Sequence, residues 1–253
     1  RVFFGNNWNS TLHIIDDAPK SIISHSNVRH FIYDNNLHII SIRGTANTID
    51  VLADIELWAS SFIMNILSSS IPIFNSYVAE YRILLGYTMH FPRYMFKPFS
   101  LINGYIEIIT DFVNTIKLGN GTEIILLGHS LGGGLAKLVS TLTGYRAFSF
   151  SGPGIQALNA FYTWKNEHIA ESFTNVMPLL DPVSSVDQAT GSSFMIPCKA
   201  GMFSCHNIIR TMCMLATLCN EINIETFSFC VSNLDYESMK SIIEEGTPYS
   251  YIS

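Results

Sequence analysis

The chain has 253 residues, 48% of them hydrophobic and only 13% charged, with a formal net charge of −6. That length can bury a substantial core and is most simply one domain. The negative balance and the lack of any basic run argue against nucleic acid as a partner. Sparse charge and a mean hydropathy of +0.27 point instead to membrane or lipid contact. Arg1 rather than Met begins the chain, which reads as a fragment or a processed product with room for a lost signal peptide or anchor. The compartment stays open, and two sequons, at Asn9 and Asn120, are weak pointers to secretion.

The N-terminal part reads as β-structure. Residues 31–33 and 37–42 are rich in Ile, Phe and Tyr and flank Asp34-Asn35-Asn36, the pattern of a hairpin. Its second strand runs into Arg43-Gly44-Thr45, and residues 49–57 follow with near-helical apolar spacing. Residues 57–79 carry no charge, a length that would permit a transmembrane helix. Ser68-Ser69-Ser70, Pro72, Asn65 and Asn75 break or polarise that stretch, so an amphipathic cover over an apolar site fits better; a pair of buried core helices fits equally well. The cover region is set at 57–86. An aromatic, irregular segment follows to residue 99, and apolar residues at 102, 105, 106, 109, 112, 113 and 116 predict an amphipathic helix over 101–118.

Residues 124–127 then form a short apolar run that enters Gly128-His129-Ser130-Leu131-Gly132. By average composition the bare G-x-S-x-G pattern arises by chance in about one chain in twelve of this length, so its flanks decide. A β-type run precedes it and small, helix-compatible residues follow, as a strand–turn–helix elbow requires. In such an elbow the serine sits on a strained turn, and Gly128 and Gly132 avoid collision with the neighbouring strand and helix. The helix N-terminus behind Ser130 offers free N–H groups where an oxyanion would form. Gly144 ends that helix, 145–150 reads as a strand, 155–165 as a helix and 173–180 as another strand. Strands alternating with helices predict an α/β sheet with parallel strands.

A serine hydroxyl needs a base, and the base an orienting carboxylate. Of the two histidines after Ser130, His168 has only its neighbour Glu167 as an intervening acid, so it reads as an exposed helix-end residue and His206 as the base. Glu171, Asp181 and Asp187 all precede His206. Asp181 follows a strand at the edge where α/β sheets place their sites, and Asp187 is the second choice. His129 should point to the far side of the turn, as a packing residue. Five cysteines, all after residue 197, leave at least one unpaired. A Cys198–Cys205 bridge bracing the loop before His206 is one reading, buried free thiols the plainer one for most, and no C-x-x-C pair suggests zinc.

These pieces together resemble the class 3, or fungal-type, triacylglycerol lipases of the α/β-hydrolase superfamily. Ser41-Ile42-Arg43-Gly44-Thr45, Leu127 to Gly133, and Leu180-Asp181-Pro182-Val183 carry the resemblance, with looser matches at Phe150-Ser151-Gly152-Pro153 and Cys205-His206-Asn207. It implies an α/β-hydrolase fold: a mostly parallel central sheet flanked by helices, with a lid-like insertion. It also implies Ser130 as nucleophile, Asp181 as acid, His206 as base, and Thr45 with the Leu131 N–H as oxyanion donors. Two departures stand out. His90-Phe91-Pro92-Arg93 lacks the glycine usual after the lid, and Ser184-Ser185 follow the Asp-Pro-Val block where another proline is common.

The resulting expectation is a serine hydrolase acting on lipid esters through an acyl-enzyme, with no metal or organic cofactor. Transient contact with a membrane or lipid surface is expected, and no nucleic acid. A phospholipase A1 or an acyltransferase on the same triad is the alternative, and an inactive membrane-associated scaffold is the non-enzymatic one.

Overall fold

A computed structural model of the chain describes residues 8–14, 27–33, 36–44, 101–116, 122–155, 172–186 and 191–246. The cover region at 57–86, the helical readings at 49–57 and 156–165, Thr45, His168, Glu171 and Asp187 lie outside the described residues.

Among the described residues, seven strands form one sheet in the order in which they follow along the chain. β1 (Trp8–Ile14), β2 (Asn27–Tyr33) and β3 (Leu37–Ile42) are antiparallel neighbours. The β2–β3 pair is the expected hairpin, extended upstream to Asn27, and the Asn36 N–H donates to the Tyr33 carbonyl across its turn at 3.1 Å. From β3 onward the pairing is parallel, through β4 (Glu123–His129), β5 (Arg146–Phe150), β6 (Phe173–Pro178) and β7 (Ser192–Ile196). Parallel strands put all their carboxyl ends at one edge of the sheet, and that edge carries the site.

Helix α1 (Leu101–Thr115) has the predicted periodicity: Ile106, Ile109 and Val113 are buried, and Glu107, Asp111 and Asn114 face solvent. Helix α2 (Leu131–Thr143) joins β4 to β5 and is buried at every residue from Leu131 to Thr141. Its small residues Gly132, Gly133, Gly134 and Ala136 let it lie close on the sheet. Gly144, with φ 77°, ends it in the left-handed conformation and donates its N–H to the Ser140 carbonyl. Lys137, 1% exposed, is not left as a bare charge: its Nζ donates to the carbonyls of Gly152 and Pro153, tying α2 to the loop after β5. The first core lies here, where Ile40, Ile42, Ile124 and Leu126 of the sheet meet Ile109, Leu135 and Leu138 of the helices.

A second core belongs to the C-terminal part. It contains the one-turn α3 (Met202–Cys205), then α4 (Ile208–Leu218), α5 (Ile224–Leu234) and α6 (Tyr236–Gly246). Cys213, Met214, Cys230, Met239 and Ile242 pack there with Val176 and Ile196 of the sheet. These helices and β7 were not anticipated from the sequence. The cysteine reading is corrected too. Cys198 pairs with Cys205, as one reading had it, but Cys213 also pairs with Cys230, so the four are not buried thiols. Packing of α4 on α5 brings Cys213 and Cys230 to a Cα separation of 6.0 Å, a distance that spacing along the chain does not reveal. Cys219 is free and exposed. Among the described residues, no helix is long and apolar enough to cross a membrane.

Candidate active site

β4 ends at His129, and Ser130 turns the chain into α2 with φ 58° and ψ −130°, a conformation that an L-residue rarely adopts. The turn is held by the Ser130 N–H, which donates to the Phe150 carbonyl at 3.0 Å, and by the Ser130 carbonyl, which accepts from Gly133 and Gly134. The two glycines of the motif are needed for close approach. A Cβ on Gly128 would run into the backbone of Gly132 and Gly133, and one on Gly132 into the backbone of Ile42 and Arg43. Gly44 lies against the same turn, since a Cβ there would come 3.3 Å from Ser130 Cβ. Leu131 is the first residue of α2, and no acceptor among the described residues takes its N–H.

Ser130, His206 and Asp181, 25 to 76 residues apart, meet at the sheet edge. The His206 Nε2 lies 3.0 Å from Ser130 Oγ, and the His206 Nδ1 lies 3.0 Å from Asp181 Oδ1. With the Nδ1–H donating to the carboxylate, Nε2 is the acceptor for the serine hydroxyl. Asp181 follows β6 in a tight turn, and its neighbour Leu180 has φ 65°. Its Oδ1 also accepts the Val183 N–H at 2.9 Å. Ser184 and Ser185, which stand where a proline is common in the resembling family, donate their hydroxyls to the Asp181 carbonyl at 3.2 and 2.7 Å.

Asp181 is 1% exposed. Burial alone pushes its carboxyl up, but the hydrogen bond from His206, the Ser151 hydroxyl, the His206 charge and the Val183 N–H together hold it below its usual value. In the sequence Ser151 stands out only as part of the loose match Phe150-Ser151-Gly152-Pro153. It follows β5, is fully buried, and has φ 52°. Its Oγ and Asp181 Oδ2 are both buried, and the hydroxyl favours the ionised carboxylate as a hydrogen-bond donor beside it. Three of the five non-glycine residues with left-handed φ among the described residues, Ser130, Ser151 and Leu180, therefore cluster here. Such strain persists only where surrounding structure over-determines it, and it concentrates at functional sites.

His206 caps the C-terminus of α3 on a loop with several ties. The Cys198–Cys205 bridge closes the chain immediately before it. Asn207 Oδ1 accepts the N–H groups of Ile209 and Arg210, starting α4 immediately after it. Farther out, the buried Arg210 pairs with Glu245 of α6 at 3.0 Å, and Glu245 also accepts the Lys199 N–H at 3.1 Å and the Ser241 hydroxyl at 2.7 Å.

His129 departs from expectation. Its ring does not turn away from the site but lies 4.8 Å from the His206 ring, and its Nε2–H donates to the His206 carbonyl at 2.8 Å. Burial, then the neighbouring His206, lowers its pKa; the hydrogen bond to His206 and the Asp181 charge only partly oppose this. No sequence pattern foretold that contact, because it depends on where residue 206 arrives in space. Among the described residues no group of three His, Cys, Asp or Glu side chains is disposed to hold a metal ion.

The arrangement can activate a hydroxyl for attack on a carbonyl. Compared with known families, the chain matches the one described as Lipase (class 3) over residues 39–189, more than half its length. That segment contains Ser130 and Asp181 and stops short of His206. No curated protein matches the chain.

Proposed function

The chain belongs to the class 3 lipase family, of α/β-hydrolase fold, and from that premise we propose that Ser130, His206 and Asp181 form its catalytic triad. The family makes the protein a lipase, a carboxylic ester hydrolase whose substrates are lipid esters. The observation that carries the triad is the unbroken relay from Ser130 Oγ through His206 to Asp181 Oδ1, with both contacts at 3.0 Å.

In this reading Ser130 Oγ attacks the ester carbonyl as its proton passes to His206 Nε2. The buried Asp181 carboxylate steadies the imidazolium that results. The tetrahedral oxyanion is held by the Leu131 N–H at the head of α2 and, as the family resemblance implies, by Thr45, the residue after Gly44 in sequence. Collapse of the intermediate expels the alcohol, which takes the proton from His206 Nε2, and leaves the acyl group on Ser130. Water, deprotonated in turn by His206, repeats the sequence and releases the fatty acid.

Contact with a lipid surface belongs to the same proposal. Leu180 precedes the acid and is 62% exposed, and Phe203, three residues before the base, is 88% exposed. Leu179 and Met202 beside them are exposed as well, so apolar side chains flank the triad on the turn after β6 and on α3.

The test is mass spectrometry after treatment with a fluorophosphonate ester, for wild type, Ser130→Ala and His206→Ala. A single adduct on Ser130 of the wild type is expected, with labelling and ester hydrolysis reduced by about 10⁴-fold or more in either variant. A folded wild type that takes no adduct, with or without detergent micelles, would sink the triad.

A further inference from the structure

We propose that His129 is a positioning residue for the base: it clamps the main chain of His206 and so sets the spacing between the strand end that carries Ser130 and the loop that carries His206. This rests on the triad reading above.

The hydrogen bond between His129 Nε2 and the His206 carbonyl runs at 2.8 Å between residues 77 apart. A carbonyl only accepts, so Nε2 carries the proton, and the neutral His129 ring is confined to one tautomer. The acceptor has been set aside for this donor by its own surroundings. In an uninterrupted helix the Arg210 N–H would reach back to the His206 carbonyl. Here Asn207 Oδ1 takes the Ile209 and Arg210 N–H groups, and the His206 carbonyl is left at the junction of α3 and α4. His129 Nε2–H fills that gap from the sheet.

Position along the chain gives the bond its meaning. His129 is the last residue of β4 and adjoins Ser130, so whatever fixes residue 206 to His129 also fixes it to the nucleophile. The other ties on the loop run elsewhere: Cys205 to Cys198, Arg210 to Glu245, and Lys199 to Glu245. They hold the loop to itself and to α6. The His129 bond joins its main chain to the elbow, independently of the Ser130–His206 contact itself. The two ring centroids also lie 4.8 Å apart, with the ring planes tilted by 38°. A neutral ring suits that place, because a second positive charge at 4.8 Å would oppose the imidazolium formed on His206.

A residue that merely packed there could be replaced by any ring, whereas a clamp needs its N–H. His129→Phe retains the ring and loses the donor; His129→Gln places an amide N–H at a matching reach and loses the ring. The probes are the rate of fluorophosphonate labelling at Ser130 and steady-state hydrolysis of p-nitrophenyl butyrate, with thermal unfolding recorded for every variant. For His129→Phe, labelling rate and kcat are expected to fall about tenfold, the worth of one well-placed hydrogen bond, with KM held. His129→Gln is expected to recover most of the lost rate. His129→Leu stands in should the phenylalanine variant not fold. Labelling of the Phe or Leu variant as fast as wild type overturns the proposal, and so does a glutamine variant as slow as they are. Absence of wild-type labelling is the separate result that removes the triad, and it leaves His129 no base to position.

Discussion

The elbow around Ser130 and the loop around His206 each bring one member of the proposed triad to the same edge of the sheet, by opposite means. At the elbow the ties are mostly short in sequence: Gly133 and Gly134 bond the Ser130 carbonyl, and Gly128 meets Gly132. Around His206 the decisive ties reach across the chain, to His129 77 residues away and, through Arg210, to Glu245. A nucleophile that must adopt a strained backbone is best held by backbone sterics, which only glycine placement can satisfy. A base that must swing a proton between two partners needs only its ring plane and distance fixed, and long-range clamps suffice for that.

The sharpest way to break this contrast is at Glu245, far from the reacting atoms. Glu245→Ala leaves the buried Arg210 guanidinium without its carboxylate and the Lys199 N–H without its acceptor. Loss of about 3 to 5 kcal/mol of stability is expected in urea unfolding, the usual cost of orphaning one member of a buried pair. Ser130 labelling should slow even where the variant remains folded, because the loop bearing His206 is released. Unchanged stability would mean that α6 does not anchor the loop.

A smaller loss is expected on the elbow side. Gly132→Ala forces a methyl group against the Ile42 and Arg43 backbone and should cost about 2 to 3 kcal/mol by urea unfolding. Because α2 and β3 must separate to accept it, Ser130 should stop labelling in the folded fraction. A variant that labels normally would show that the elbow tolerates a shift that the geometry forbids.

The smallest effect is on pH dependence, where both regions contribute with one sign. His129 has its folded pKa lowered from 6.5, as has His38, and Asp181 has its own lowered from 3.8. In each case the unfolded chain takes up the proton first as pH falls. Stability is therefore full above about pH 6.5, declines below it as the unfolded histidines protonate, and declines again below about pH 4 on account of Asp181. Urea midpoints measured from pH 8 down to pH 3 should follow that course, and His129→Gln should flatten the first decline. A midpoint that rose on acidification would contradict the sign.

Much of the elbow side could be read from residues in a row. The hairpin, α1, β4, the Ser130 turn, α2 with its stop at Gly144, β5 and β6 all fall close to where periodicity and glycine spacing predict them. His206 stands out because only two histidines follow Ser130, and Asp181 because it follows a strand end, whereas Glu171 and Asp187 also precede His206 and no local rule removes them. The loop side was largely hidden. β7 is five residues long and exposed over four of them, so it carries no clear alternation. α4 and α5 bury cysteine and methionine in place of a plain aliphatic stripe, and their Cys213–Cys230 bridge depends on helix packing. From sequence His129 reads as a packing residue because its partner is a main-chain carbonyl, and any residue supplies one of those.

The sequence by itself therefore determined the strand–turn–helix at Ser130, the parallel sheet that holds it, and the membership in a family of ester hydrolases. These follow from steric rules and hydrophobic periods that act within a few residues, where chain order and spatial order coincide. Only the tertiary structure decided that Ser130, His206 and Asp181 stand 3.0 Å apart in turn, and that His129, Asn207 and the Arg210–Glu245 pair surround His206. Those distances are set by how α3 to α6 pack on the far strands, and packing joins residues that no local rule connects.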